Sequence, residues 1–242
     1  MIAKFLQQLA SPLTGEELFD HLSDIVYFIK DAKGAYLVVN KTLVARCQVA
    51  DKRALVGRTP RDVLRPPLGD RFAAQDEQVI RTGTPLLSQL ELHVYATGDV
   101  GWCLTTKLPL RNRLGQVIGL VGVSQDLRIP DVETDEYQQL ASAIEYAEQR
   151  VATPPSVEEL ARRAKMSRYQ LDRRIRRVFG LTAGQWILKI RLDAAQRLLL
   201  QTGLPIAEIA QQAGYADQSA FTRQFRRATG LAPAEYRSAR RG

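Results

Sequence analysis

Two stretches of the chain say nearly the same thing. RRIRRVFGLTAGQW runs from Arg173 to Trp186, and RQFRRATGLAPAEY runs from Arg223 to Tyr236, 50 positions later. An internal repeat constrains folding strongly, because both copies must reach the same local structure. The similarity extends upstream, where LARRAKMSRYQLDRRIRRVFG lies over IAQQAGYADQSAFTRQFRRATG. Leu160, Ala161 and Ala164 match Ile209, Ala210 and Ala213 at an offset of 49. Leu171, Arg173 and Ile175 match Phe221, Arg223 and Phe225 at an offset of 50. One residue has entered between, where KMS faces GYAD. Insertions belong in turns, so each copy reads as helix–turn–helix. Two copies are too few for a solenoid.

The local signals agree. Ser156 with Glu159, and Ser167 with Gln170, have the spacing of capping boxes opening helices at Val157–Ala164 and Arg168–Val178. Asp217 is placed to cap Gln218–Thr229, and Pro205 sits where a first helical residue tolerates proline. The units therefore span about 157–179 and 206–229. A long helix, about Ala183–Gln201, joins them, and its apolar residues cover so much of its circumference that it should be buried between the units. Ahead of them, Tyr137, Leu140, Ile144, Ala147 and Val151 follow an a/d spacing within a helix of roughly 134–151. That helix is either a coiled coil or signal-transmitting rod, or the first helix of the C-terminal domain.

Charge is divided along the chain. Residues 153–242 hold 17 Lys and Arg against 7 Asp and Glu, whereas residues 1–152 hold 17 against 19. A basic excess confined to the helical part points to a polyanionic partner, nucleic acid first.

RLDAAQRLLL followed by IAEIAQQAGYADQSAFTRQFRRATGLAPAEYR closely resembles the AraC/XylS family of bacterial transcription regulators. The turn carries Ala213, Gly214 and Tyr215, the recognition segment Phe221, Arg223 and Phe225, and the close Gly230, Pro233, Tyr236 and Arg237. The resemblance covers roughly 135–238 and implies two helix–turn–helix units joined by a long helix, binding double-stranded DNA and recruiting RNA polymerase.

In a helix–turn–helix the second helix enters the major groove. Leu171, Ile175 and Val178 mark the buried stripe of one recognition helix, and Phe221 and Phe225 that of the other. The opposite faces then present Arg168, Tyr169, Asp172 and Arg173, and Gln218, Ser219, Thr222 and Arg223, as candidate base readers. Asp172 either accepts from cytosine or holds Arg168 or Arg176 across a turn. Tyr169 departs from the tryptophan or polar residue more usual there in the family. Ser167, Arg176, Arg177, Arg226 and Arg227 are expected at phosphates.

The N-terminal part reads as strands and short helices. Strands are expected at Ile25–Lys30, Tyr36–Val39, Leu86–Tyr95, Trp102–Leu110 and Gln116–Asp126, with helical stretches near Pro60–Leu64 and Gly69–Arg81. Asn40 can cap a helix after the second strand. IVYFIKDAKGAYLVVN and TTKLPLRNRLGQVIGLVGVSQDLR resemble the PAS sensor fold, over about 18–128. The fold class is thus α+β in two domains. Residues 14–130 form a PAS-like five-stranded antiparallel sheet with short helices, and residues 131–242 form an all-α domain with two helix–turn–helix units.

Such a fold implies a small cavity. By strand parity Leu90, Leu92, Trp102 and Leu104 should face it, leaving His93 and Cys103 on a partly exposed polar face. Cys47 lacks the neighbours of a flavin-photosensor cysteine, and the helix DRFAAQDEQVIRTG holds no histidine for haem. Neither cofactor is expected; a small organic effector or a dimerisation role fits better. The two cysteines are either inert or a redox pair, and no His/Cys cluster has metal-ligand spacing. No catalytic motif and no long apolar segment appears, and MIAKFLQQLASPL is not a signal peptide, so a cytoplasmic, non-enzymatic regulator is expected. The alternatives are a constitutive DNA-binding regulator whose PAS domain only pairs subunits into a homodimer, and an enzyme with a DNA-binding tail.

Overall fold

The computed structural model describes residues 5–64, 66, 68–94, 100–127 and 130–241. Two compact units divide the chain, Met1–Asp126 and Leu127–Gly242.

The first unit opens with a short helix α1 (Glu16–Phe19), then strands β1 (Ile25–Asp31) and β2 (Tyr36–Val39). The turn between the strands is fixed by Asp31, whose carboxylate accepts from the Lys33 and Ala35 amides at 2.9 Å each, with Gly34 at φ 78°. Helices α2 (Lys41–Arg46), α3 (Pro60–Val63) and α4 (Leu68–Thr82) follow. The remaining strands are β3 (Leu86–Val94), β4 (Val100–Arg111) and β5 (Val117–Asp126). The sequence carried β3 on to Tyr95, which lies outside the described residues. All pairings are antiparallel, in the order β2-β1-β5-β4-β3.

The core sits between the sheet and the helices, around Val26, Phe28, Tyr36, Val39, Leu55 and Leu120. Gly122 lies opposite Phe28, and a Cβ there would come within 2.5 Å of the ring, so the glycine is what lets the aromatic lie across β5. Asn40 does more than cap α2. Fully buried, it accepts from the Tyr27 and Leu43 amides at 3.0 and 3.3 Å and donates to the Phe19 and Ile25 carbonyls at 2.9 and 2.7 Å. One side chain thereby ties α1, β1 and α2 together with no buried polar atom left over.

The second unit is helical: α5 (Asp135–Gln149), α6 (Val157–Arg163), α7 (Arg168–Phe179), α8 (Ala183–Gln201), α9 (Ile206–Gln212), α10 (Gln218–Thr229) and α11 (Pro233–Arg241). Leu140, Ile144 and Ala147 of α5 are buried, and the helix packs on α6 and α7. The a/d stripe is therefore spent within this unit, as the first helix of the domain. Ser167 and Gln170 make a full capping box, whereas Ser156 makes half of one. Ser156 accepts the Glu159 amide at 3.1 Å, but the Glu159 carboxylate accepts from the Tyr146 hydroxyl instead of returning to the cap. Pro205 stands one position outside α9 as its N-cap, where its missing N–H is harmless.

The repeat reappears as repeated hydrogen bonds. Met166 N–H bonds the Ala161 carbonyl and Tyr215 N–H the Ala210 carbonyl, each at 2.9 Å, closing the two turns alike. Lys165 and Gly214 hold the left-handed residue of each, at φ 54° and 77°. Both turns are thus the same length, and the extra residue of the second copy, Ala216, falls between the closed turn and the N-cap Asp217.

Candidate nucleic-acid interface and interior cavity

Helices α7 and α10 are built alike. Each buries one stripe, Leu171 and Ile175 in α7, Phe221 and Phe225 in α10, and each ends at a left-handed glycine, Gly180 or Gly230. Burial of one stripe fixes what the other face offers. Ser167, Arg168, Tyr169 and Arg173 are exposed in the first copy, Gln218, Ser219 and Arg223 in the second. Thr222 and Asp172 are half-buried. Tyr169 is 73% exposed, a large ring with its face available for contact.

Ion pairs sort the basic side chains. Arg168 reaches Glu158 at 2.7 Å, Arg176 reaches Asp172 at 2.8 Å, Arg226 reaches Glu235 at 3.3 Å, and Arg177 lies 3.9 Å from Glu136. Arg173 and Arg223, the matched pair of the repeat, have no acidic partner among the described residues. Exposed pairs of this kind are worth little, about 0–1 kcal/mol each, so an incoming phosphate can replace the carboxylate.

Asp172 belongs to the second of its two sequence readings. One oxygen accepts from Arg176 and the other from the Ala183 amide at 2.9 Å, the first residue of α8. Burial works against its charge, but the Ala183 amide and Arg176 outweigh it and hold the carboxyl below its usual range. With both oxygens engaged, Asp172 fastens the recognition helix to the linker.

At the far side α8 grips the second helix–turn–helix through Arg191, which the sequence reading missed. Its guanidinium donates to the Ala213 and Gly214 carbonyls at 3.0 and 2.9 Å and lies 3.8 Å from the centre of the Tyr215 ring. Trp186 packs on Phe179 at 5.3 Å between ring centres, joining α8 to the end of α7. The linker helix is thereby locked to the turn of one unit and the end of the other.

In the first unit a cavity of about 30 Å3 lies between helices and sheet. Val26, Phe28, Tyr36 and Phe72 give its apolar wall; Lys30, Arg46, His93, Thr105, Lys107 and Ser124 give its polar wall. The sequence expectation for this site was inverted. Leu90, Leu92 and Trp102 are buried and Leu104 half-buried, yet none lines the cavity; it is His93, Cys103, Thr105 and Lys107, of the opposite parity, that do. Parity locates the interior only where one face of a strand is wet, and here β3 and β4 bury residues of both parities. Most of the inward polar groups find partners, although Glu91 Oε2 and His93 Nε2 are buried without a hydrogen bond among the described residues. Glu91 accepts from Gln75 and Gln89, Thr105 lies 2.9 Å from Ser124, and Arg46 makes a two-pronged contact with Asp126.

Burial, with Arg46 and Arg71 nearby, drives His93 down to about 3, so it is neutral at ordinary pH. Burial pushes the Cys47 and Cys103 thiols up to about 11 and about 12, the direction of inert cysteines. Lys30 and Lys107 both contact Asp76, at 2.5 and 2.6 Å, and all three side chains are almost fully buried. Sequence reasoning passed over this trio. Its signal was that Lys30 shares inward parity with Val26 and Phe28, and Asp76 shares a helix stripe with Ala73 and Val79.

No helix among the described residues is long and apolar enough to cross a membrane. A helix–turn–helix family profile matches residues 160–239, and a PAS-fold profile matches residues 19–129. The regulatory protein SoxS of Salmonella typhimurium is 33% identical over 100 residues, which are 41% of this chain and 94% of SoxS. A probable transcriptional regulator of Photobacterium leiognathi, LumQ, is 30% identical over 114 residues, 47% of this chain; the chain spans 46% of LumQ's length. Among solved structures, the DNA-binding domain of AdpA, determined with a target DNA, is 38% identical and covers 43% of this chain and 93% of that domain, with a TM-score of 0.41. These are relatives among transcription factors, not enzymes, and the chain belongs to the AraC family of DNA-binding transcriptional regulators, with a PAS-fold domain ahead of its two helix–turn–helix units.

Proposed function

We propose that this regulator reads two successive major-groove boxes on one face of DNA, with α7 in one and α10 in the other. The observation that carries the reading is the matched pair Arg173 and Arg223, exposed and without an acidic partner among the described residues, on two helices fixed to one linker. A single recognition helix offers three or four reading side chains, and two held rigidly double the sequence one subunit reads. Arg168, Tyr169 and Arg173 serve one box; Gln218, Ser219, Thr222 and Arg223 serve the other. Ser167, Arg176, Arg177, Arg226 and Arg227 hold phosphates. The PAS domain binds a small effector and adjusts DNA binding or the recruitment of RNA polymerase, with activation as the outcome; resemblance to the family supports the polymerase contact.

The boxes should lie about one helical turn apart, ~10–10.5 bp. Arg173→Ala and Arg223→Ala should each relax discrimination in a different box, by ~1–3 kcal/mol, while Arg227→Ala weakens binding evenly. Selection of bound fragments defines the boxes, and inserting ~5 bp between them should remove most specific affinity by turning one out of reach. An unchanged footprint after that insertion would mean that only one unit reads bases.

A further inference from the structure

The interior of the first unit sets two lysines against one carboxylate at its cavity, and burial, with the Lys107 charge nearby, lowers Lys30 to about 8, still mostly protonated at neutral pH. Lys30 and Lys107 share the single carboxylate of Asp76, each taking one oxygen. The single negative charge of Asp76 offsets one of the two positive charges, so the excess lies on the ammonium side. Lys107 also donates to the Phe72 carbonyl at 3.3 Å. Among the described residues Asp76 is the one hydrogen-bond acceptor that Lys30 meets; its remaining sides face the rings of Phe28 and Tyr36, 4.6 and 4.3 Å from their centres. Ring faces attract a cation but accept no strong hydrogen bond. Both lysines line the cavity. A purely structural trio would use every donor, because a buried charge left without full pairing costs several kcal/mol.

We propose that this cavity is the binding site of a small organic monocarboxylate, received by the Lys30 and Lys107 ammonium groups. One excess positive charge calls for one negative charge, which disfavours a phosphate dianion. The lining also includes the apolar side chains of Val26, Leu43 and Phe72, which calls for a hydrocarbon remainder and disfavours chloride or nitrate. Thr105 and Ser124 already bond each other and leave a polar patch suited to a hydroxyl or keto substituent. Size sets the rest. At about 30 Å3 the cavity is small, so the ligand is short-chained. The inference rests on the reading of the PAS domain as a sensor and adds the chemical class of what it senses.

The test uses the full chain and its first unfolding transition. Acetate, propionate, butyrate, lactate and pyruvate are added as sodium salts, with sodium chloride at equal ionic strength and the corresponding amides as neutral isosteres. At least one carboxylate should raise the transition by on the order of 5 °C when saturating, with a maximum at one chain length; chloride and the amides should not. Lys107→Met should abolish the shift. Should that variant not fold, calorimetry on the unaltered protein decides the same point, since carboxylate must bind and its amide must not. Equal stabilisation by amide and carboxylate, or by chloride and carboxylate, overturns the proposal. So does the absence of any stabilisation. The sensor reading is judged apart, by native mass spectrometry of protein purified from its host. A retained neutral compound keeps the sensor while removing the carboxylate. No retained mass, together with operator affinity indifferent to host extract, removes the sensor itself.

Discussion

His93 shows how one buried side chain sets a pH limit. In the fold it stays neutral down to about 3, whereas in the unfolded chain it takes a proton near its ordinary value of 6.5. Unfolded protein therefore binds more protons as pH falls below 6.5, and stability declines from there toward 3. The loss reaches up to about 1.4 kcal/mol per pH unit, and its upper part, from ~6.5 to ~5, lies above the range where ordinary carboxylates titrate. Urea unfolding followed through Trp102 in a Trp186→Phe background should record that decline, and His93→Gln should flatten it. A second residue-scale contrast lies in the two turns. Gly214 combines a positive φ with a site where a Cβ would stand 2.4 Å from the Val151 carbonyl oxygen. Gly214→Ala should cost ~2–4 kcal/mol in thermal unfolding. Lys165→Gly, at the matching position, should be neutral or stabilising by up to about 1 kcal/mol, because it removes left-handed strain from a residue with a side chain.

At the scale of elements, the helices of the second unit were largely legible from sequence because their ends are marked locally. Thr182, Ser167 and Asp217 each cap the helix that follows them, through hydrogen bonds spanning three residues. Where a partner comes from elsewhere in the chain, local reading fails. Glu159 bonds Tyr146, 13 positions away, and Asp172 bonds the Ala183 amide, 11 away. The same limit inverted the cavity: the sequences of β3 and β4 alternate, but what covers the sheet buries both parities, and no local pattern reports that. Arg191 is another such long-range contact, reaching 22 residues to Ala213. Arg191→Met keeps the stem and removes the two carbonyl contacts and the ring contact. It should cost ~1–3 kcal/mol in stability. Footprinting should find protection reduced more at the α10 box than at the α7 box, because the grip lost is on the second helix–turn–helix.

On the scale of the whole molecule, the basic excess lies inside the helical unit. Residues 153–242 hold 17 Lys and Arg against 7 Asp and Glu, while the unit as a whole, from Leu127, holds 19 against 13 because its first helix is acidic. A fragment of residues 131–242 should then bind duplex DNA by itself. Its log affinity should fall linearly with log salt at a slope of about −0.9 for each phosphate neutralised, and the intact chain should have the same slope. Titrations across a salt series check this; a fragment folded by circular dichroism that shifts no DNA at low salt would sink the idea.

The two recognition helices are alike in their buried stripes and unlike in what they present, Arg168 and Tyr169 in one, Gln218 and Ser219 in the other. Bolted to a single rod by Asp172 and Arg191, they cannot exchange places. A protein that pairs identical halves looks the same from either strand. If each helix reads its own box as proposed, this one would land with a heading, one end of its target under α7 and the other under α10. Reversing the target would then turn the bound molecule end for end, so its DNA sites would act as arrows.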